Sequence, residues 1–132
     1  MASSVIAHIS IGTNNFEKAR DFYNKVLSTL GITPLMDFPG AVGYGKLAAD
    51  FWLQTPIDGK EATVGNGSHV AFVGASEEQV NEFYRMAIAS GAVCDGAPGY
   101  RPMYSDAYYG CFVRDLDGHK IEAMFWDGSR LS

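Results

Sequence analysis

The segment AHISIGTNNFEKARDFYNKVL, residues 7–27, decides the fold because its pattern returns later in the chain. In this segment His8 precedes the pair Phe22-Tyr23 by 14 and 15 residues. His69 precedes a second pair, Phe83-Tyr84, by the same two steps. The chain therefore contains an internal repeat with a shift of 61 residues, which covers a strand and the helix that follows it.

Alternation of apolar and polar residues predicts strands, and apolar residues three and four apart predict helices. The first half is predicted to contain a strand at 5–11, a helix at about 15–30 and extended segments near 33–38, 42–47 and 50–55. The second half is predicted to contain a strand at 68–74, a helix at about 76–90 and extended segments near 92–95, 108–114 and 119–126. We expect Asn14 to cap the first helix, and Ser76 with Gln79 to form a capping box for the second.

These elements predict an α+β fold made of two βαβββ modules. The modules cover about 4–55 and 67–127, and the polar, Gly-containing stretch at about 56–66 links them within a single domain, 1–132. The alternative is a ferredoxin-like βαββαβ fold. That fold has fewer strands between its helices than the length of residues 31–67 suggests, so the two-module fold is favoured.

Composition excludes several classes of function. The chain has 132 residues and a net charge of −5, and its Lys and Arg are scattered, so no nucleic-acid partner is expected. No stretch approaches the roughly 20 apolar residues of a membrane span, and the N-terminus lacks a signal-peptide pattern, so a cytoplasmic location is expected. Cys94 and Cys111 show no CxxC spacing and are interpreted as packing residues.

The two repeated histidines are candidate metal ligands. A single strand His is usually a hydrogen-bonded core or rim residue. His8 and His69, however, occupy equivalent positions of a pseudo-symmetric fold, so their imidazoles face one common axis. The repeat therefore favours metal binding by both.

The last predicted strand supplies a third candidate, Glu122. Alternation places Lys120, Met124 and Trp126 on its face, and a carboxylate in this apolar company requires a cation or an Arg. The alternative is a Glu122 paired with a neighbouring Lys or Arg. His119 is out of phase with Glu122 and is interpreted as a turn residue. Two imidazoles and one carboxylate suit one Zn²⁺, Mn²⁺, Fe²⁺, Co²⁺ or Ni²⁺ per site.

Three stretches carry a resemblance to a known superfamily: AHISIGTNNFEKARDFYNKVL around His8, GSHVAFVG around His69 and RDLDGHKIEAMFW around Glu122. Together they resemble the vicinal oxygen chelate superfamily, which includes glyoxalase I, extradiol dioxygenases, bleomycin-resistance proteins and fosfomycin-resistance thiol transferases. The resemblance implies a cupped, incompletely closed mixed sheet with helices outside. It also implies a homodimer with the sites at the subunit interface, in which His8 is completed by His69 and Glu122 of the partner subunit.

The glyoxalase I pattern implies a fourth ligand, a Glu on the last strand of the first module. Here that strand is DFWLQ, 50–54, and the expected position holds Trp52 or, in another register, Gln54. A three-ligand site resembles the dioxygenases and the fosfomycin-resistance enzymes instead. Ser10 stands where those enzymes carry a hydroxyl near the substrate; the alternative is a plain strand hydroxyl.

The predicted substrate pocket consists of Ser10, Trp52, Gln54, Arg101, Tyr104, Tyr108, Met124 and Trp126. Aromatic walls with one Arg suit a small ligand with a ring, or an anionic group beside an apolar body; alternatively, several tyrosines only cover the core edge. The resemblance implies a metal-dependent enzyme acting on a small metal-chelating molecule, as a glyoxalase-like lyase or isomerase, a thiol transferase or a dioxygenase. The alternatives are a non-catalytic protein that sequesters a small molecule or antibiotic, and a degenerate domain whose His residues have lost their function. The pattern identifies no general base.

Overall fold

The computed structural model describes residues 4–131 of the chain. The first module contains β1 (Ile9–Gly12), α1 (Phe16–Ser28), β2 (Thr33–Phe38), β3 (Ala41–Gly45) and β4 (Ala49–Gln54). The second contains β5 (His69–Val73), α2 (Glu77–Ala89), β6 (Val93–Tyr100), β7 (Tyr108–Arg114) and β8 (Lys120–Trp126), followed by a 3₁₀ turn at Gly128–Arg130. No helix in this described part has the length and apolar character needed to cross a membrane.

Each module forms its own four-stranded mixed sheet with the same topology. The strand orders are β1-β4-β3-β2 and β5-β8-β7-β6, with β1–β4 and β5–β8 parallel and the other pairs antiparallel. Over residues 4–131 neither sheet closes into a barrel. The predicted α+β fold with two βαβββ modules is therefore confirmed.

The helices cover one face of each sheet and share one core. Apolar residues at helical spacing, such as Phe22 on α1 and Phe83 on α2, are almost completely buried. The modules meet where Phe51 of β4 and Phe72 of β5 pack edge to face with ring centroids 5.0 Å apart. Because both helices lie on the core side, the other face of each sheet remains open, and these open faces carry the candidate site residues.

The capping prediction is right for α2 and wrong for α1. The Ser76 hydroxyl accepts a hydrogen bond from the Gln79 amide at 3.1 Å, as the capping box predicts. The residue that caps α1 is Asn15, not Asn14. The Asn14 side chain instead forms two hydrogen bonds with the backbone of Ala62, at 2.7 and 3.1 Å, which hold the linker against the start of the helix.

Two strand boundaries differ from the predictions. β1 begins at Ile9 rather than at residue 5, because β4 supplies pairing partners only for Ile9–Gly12. β6 continues to Tyr100 rather than ending near 95, since Tyr100 pairs with Tyr109. The glycines and the proline of 96–99 predict a turn, but the pairing with β7 overrides that local preference.

The turn between β7 and β8 fixes the second module to the first. Tyr23 of α1 donates a hydrogen bond to the buried Asp115 carboxylate at 2.5 Å, and that carboxylate also accepts the amides of Asp117 and His119. His119 belongs to this turn, as predicted, and its Nε2 lies 2.7 Å from the carbonyl oxygen of Gly12. β8 therefore starts from a point that is anchored on both modules.

Candidate metal site on the open face of the second sheet

The pairing of β7 with β8 determines which side chains share the open face. The cross-strand pairs on this face are Tyr108 with Trp126, Gly110 with Met124, Phe112 with Glu122, and Arg114 with Lys120. The intervening residues, such as Ile121 and Val113, are fully buried under α2. The two-residue period of the strands therefore gathers the chemically active groups on the face that the helix leaves open.

Glu122 is a buried carboxylate with a short list of partners. It is only 2% exposed. Its Oε1 lies 3.0 Å from Nε2 of His69, and its Oε2 accepts the hydroxyl hydrogen bond of Tyr108. Gly110 leaves space for this contact, because a Cβ there would lie 3.3 Å from Oε2. Among residues 4–131 its ion-pair partner is His69 and not the Lys or Arg of the alternative interpretation.

His69 is the first residue of β5 and reaches Glu122 from the neighbouring strand. Ala71 lies opposite Glu122 in the parallel pairing, so His69, two residues earlier, is on the same face. Its side chain is 43% exposed. A cavity of about 370 Å³ opens beside it, lined also by the loop 64–68, Arg114 and Lys120. His69 is thus held against a buried carboxylate and still faces open space.

The geometry of this pair fits two ligands of one metal ion. Imidazole nitrogens and carboxylate oxygens bind divalent zinc at about 2.0–2.2 Å, so two ligands lie about 3.4 Å apart at a tetrahedral angle and about 3 Å apart at the right angle of an octahedral site. The 3.0 Å between His69 Nε2 and Glu122 Oε1 is a hydrogen-bond distance that requires little change to become either separation. Tyr108 on the second carboxylate oxygen corresponds to the outer partners that orient metal ligands. These two donors are of the types that bind divalent metals, and a complete site needs at least one further ligand.

His8, the third predicted ligand, lies outside this arrangement. It precedes β1 and is exposed. Among the residues that the structure describes, no three His, Cys, Asp or Glu side chains are close enough together to hold a metal. One chain therefore brings His69 and Glu122 together and leaves His8 apart, so ligation by His8 stays a prediction that requires a second chain.

Trp52 takes the place of Glu122 in the first module. Ser10 lies opposite Trp52 as Ala71 lies opposite Glu122, and this equivalence selects Trp52, not Gln54, as the counterpart. Its indole Nε1 donates a hydrogen bond to the carbonyl oxygen of Ala49 at 3.1 Å, within its own strand. Three pocket residues, Ser10, Trp52 and Gln54, thus belong to the first sheet.

The remaining predicted pocket residues lie on or beside the second sheet. Tyr104 packs edge to face on Tyr108 with centroids 5.1 Å apart, and Arg101 places its Cζ 5.6 Å from the centroid of the Phe112 ring. Met124 and Trp126 share the face of Glu122 by register. Burial and the hydrogen bond to Glu122 raise the pKa of Tyr108 well above its usual value.

The sequence interpretation missed Phe112, Arg114 and Lys120 as site residues. The Nζ of Lys120 lies 4.8 Å from the centroid of Phe112. Arg114 Nε lies 3.0 Å from Oδ2 of Asp95, and Lys120 Nζ lies 3.9 Å from the same oxygen. Alternation along 108–114 and 120–126 contains the signal, because these residues share the phase of Tyr108 and Glu122.

Comparisons with known proteins agree with this architecture. The sequence profile of the Glyoxalase/Bleomycin resistance protein/Dioxygenase superfamily matches residues 5–123. A glyoxalase/bleomycin resistance protein from Albidiferax ferrireducens T118 is 38% identical, with a TM-score of 0.84 and a match that covers 92% of this chain and 98% of that one. No functionally curated protein matches the chain.

Two more distant solved structures share the fold. A glyoxalase-related enzyme from Fulvimarina pelagi is 20% identical with a TM-score of 0.71, over 93% of this chain and 88% of that one. A lactoylglutathione lyase from Agrobacterium tumefaciens is 17% identical with a TM-score of 0.66, over 94% of this chain and 95% of that one. At these identities the comparisons show similarity of fold alone.

Proposed function

Because the chain belongs to the Glyoxalase/Bleomycin resistance protein/Dioxygenase superfamily, we propose that it is a divalent-metal-dependent enzyme acting on a small, metal-chelating substrate. In this proposal His8, His69 and Glu122 hold one Zn, Mn, Fe, Co or Ni ion per site. The reaction is of the lyase or isomerase, thiol-transferase or dioxygenase type. The observation that carries the proposal is the 3.0 Å approach of His69 Nε2 to Oε1 of the buried Glu122.

The proposed assembly is a homodimer with the substrate site at the interface. His8 lies apart from the two other ligands in one chain, and a second chain is the direct way to complete the set. β1, which follows His8, and β5, which begins with His69, are both terminal strands of their sheets. The free thiols of Cys94 and Cys111 are compatible with a reducing, cytoplasmic location.

The residues of the chain have distinct roles in this proposal. A bound divalent metal would act as a Lewis acid on a substrate oxygen. Tyr108 donates a hydrogen bond to Glu122 and so holds the carboxylate in one orientation. Trp52, Met124 and Trp126 would exclude water from the bound substrate.

Metal analysis of protein purified without chelator tests the ligand set. We expect about one ion per chain in the wild type and none in His8→Ala or His69→Ala, because each loses one of three ligands. His119→Gln is the matched control: it removes the third histidine but keeps a donor for the Gly12 carbonyl, so its metal content should equal that of the wild type. A metal-free wild type that still binds small molecules would favour the sequestering alternative.

Mixing variants tests whether the site is shared between chains. A dimer of one His8→Ala chain with one His69→Ala chain retains one intact site if His8 acts across the interface. Random exchange makes about half of the dimers mixed, so the mixture should regain about a quarter of the wild-type metal. A mixture that regains no metal would show that His8 does not complete the site of the partner chain.

A further inference from the structure

Two cations lie close to the Phe112 ring on the open face of the second sheet. Lys120 Nζ lies 4.8 Å from the ring centroid, and Arg101 Cζ lies 5.6 Å from it. Phe112 is directly opposite Glu122 in the β7–β8 pairing, and the His69 ring centroid is 6.2 Å from its own. The Phe112 ring is therefore beside the proposed metal ligands.

Two glycines of β6 leave room for the Arg101 side chain on this face. A Cβ at Gly96 would lie 3.3 Å from its Nη2, and a Cβ at Gly99 would lie 3.2 Å from its Nη1. Nη2 donates a hydrogen bond to the carbonyl oxygen of Ala97 at 2.7 Å. These contacts place the guanidinium beside β6, and its remaining N–H groups make no hydrogen bond within the described residues.

The charges on this face do not balance. It carries three cations, Arg101, Arg114 and Lys120, in a chain whose net charge is −5. Asp95 pairs with Arg114 at 3.0 Å and lies 3.9 Å from Lys120, while Glu122 is engaged by His69. In the described part of the chain, the Arg101 side chain has no ion pair with a carboxylate, and its single hydrogen bond goes to the carbonyl oxygen of Ala97.

We propose that Arg101 and Lys120 form an oxyanion subsite over Phe112, which binds a carboxylate, phosphate or phosphonate group of the substrate. Arg offers a planar pair of donors that matches such groups, and Lys adds a point charge beside the same ring. The Phe112 ring supports the apolar body to which the anion is attached. This inference rests on the proposed function, because the subsite would direct the substrate toward His69 and Glu122.

Small probes test the subsite without metal and without activity. Protein freed of metal, with the chelator then dialysed away, is titrated in Tris buffer with benzoate, phenyl phosphate and neutral benzamide, and amide NMR shifts are followed. We expect saturable shifts around Arg101, Phe112 and Lys120 with the two anions, and binding of benzamide roughly tenfold weaker or absent. Stronger binding of benzoate or of phenyl phosphate narrows the class to carboxylates or to phosphoryl groups.

Charge-removing variants complete the test. Arg101→Gln and Lys120→Gln should each weaken binding of the preferred anion by roughly tenfold, since each removes one charged partner. Arg85→Gln is the control, because Arg85 lies on α2 and pairs with Glu82 away from this face. Equal binding of benzamide and benzoate, or wild-type affinity in both subsite variants, would overturn the proposal.

The outcome is separate from that of the metal experiment. Anion binding that depends on Arg101 in a protein that never takes up metal would keep the subsite and overturn the proposed enzyme. A protein with stoichiometric metal but no charge-dependent anion binding would keep the metal site and overturn the subsite.

Discussion

The open faces of the two sheets differ although their strands pair in the same way. In the first sheet Trp52 lies across Gly43 and stacks on Phe38, with ring centroids 6.3 Å apart and planes 5° apart. In the second sheet the equivalent pair is Glu122 and Phe112. Glu122 stands at the position of Trp52, and the aromatic residue Phe112 stands at the position of Gly43 on the neighbouring strand. At this equivalent position one open face carries an indole and the other carries a carboxylate.

The helix-facing sides of the sheets show no such divergence. Phe51 and Leu53 of β4 correspond to Ile121 and Ala123 of β8, and all four are buried apolar residues. Packing under a helix constrains these positions, because burial of apolar area drives folding. The open faces are free of that constraint, so the repeated scaffold tolerates different chemistry there. The largest chemical difference is at the equivalent positions of Trp52 and Glu122.

Replacing the carboxylate itself should have the largest effect. Glu122→Gln keeps the shape and the hydrogen-bonding capacity toward His69 and Tyr108, but a neutral amide is a poor metal ligand. Since changes to outer partners alone cost about 10–100-fold in affinity, we expect more than about 100-fold weaker metal binding. Trp52→Phe, the same position in the first sheet, should bind metal like the wild type. Isothermal titration with Zn²⁺ and Mn²⁺ measures both; equal losses would remove the distinction between the faces.

The next effect concerns two tyrosines at equivalent positions of the helices. The Tyr23 hydroxyl is buried and bonds Asp115 of the other module, whereas Tyr84 is only half-buried. Tyr23→Phe leaves the Asp115 carboxylate short of a donor, so we expect a loss of about 1–3 kcal/mol in the free energy of unfolding. Tyr84→Phe should leave it unchanged. Urea denaturation compares the two; similar values would mean that the Tyr23–Asp115 contact does not join the modules.

The glycine beneath Trp52 should give a smaller effect. In Gly43→Ala the added Cβ would lie 2.7 Å from the indole ring and 2.8 Å from the Cβ of Ala49, so Trp52 must move. Overpacking costs about 1–3 kcal/mol, and the lower chain entropy of Ala offsets part of it, which leaves roughly 1 kcal/mol. Trp fluorescence should shift with the displaced ring. Phe112→Tyr, at the equivalent position of the second sheet, is the control and should leave the fluorescence unchanged.

The prediction from sequence was strongest where local periodicity and the repeat coincide. The repeat predicted both modules and singled out His69, while Glu122 joined the predicted ligands mainly through the family resemblance; in the structure these two side chains lie on one face. The contacts it missed are those between segments distant in sequence. The Asn14 side chain forms hydrogen bonds with Ala62 of the linker and so does not cap the helix. The position of Arg101 beside Phe112 depends on the pairing of β6 with β7. His8 lies apart for the same kind of reason, since its position relative to the other ligands depends on how modules assemble.

The smallest effect is expected at a cysteine on the helix-facing side of the second sheet. Cys111 occupies the place that Val42 holds in the first sheet, since each lies opposite a buried residue of the neighbouring strand. It is fully buried, whereas Cys94 is exposed. Cys111→Val should therefore change the free energy of unfolding at neutral pH by less than about 0.5 kcal/mol. Thermal or urea denaturation measures the change.

The thiol of Cys111 should show its burial in its ionisation. Burial raises the pKa of Cys111 from 9.0 to about 11. Above pH 9 the unfolded chain ionises at this residue while the folded chain does not, so wild-type stability should fall between about pH 9 and 11 by more than that of Cys111→Val. Iodoacetamide at neutral pH should modify Cys94 alone until the chain is unfolded. The same pH dependence of stability in the wild type and Cys111→Val, or modification of Cys111 in the folded chain, would show that this thiol is accessible to solvent.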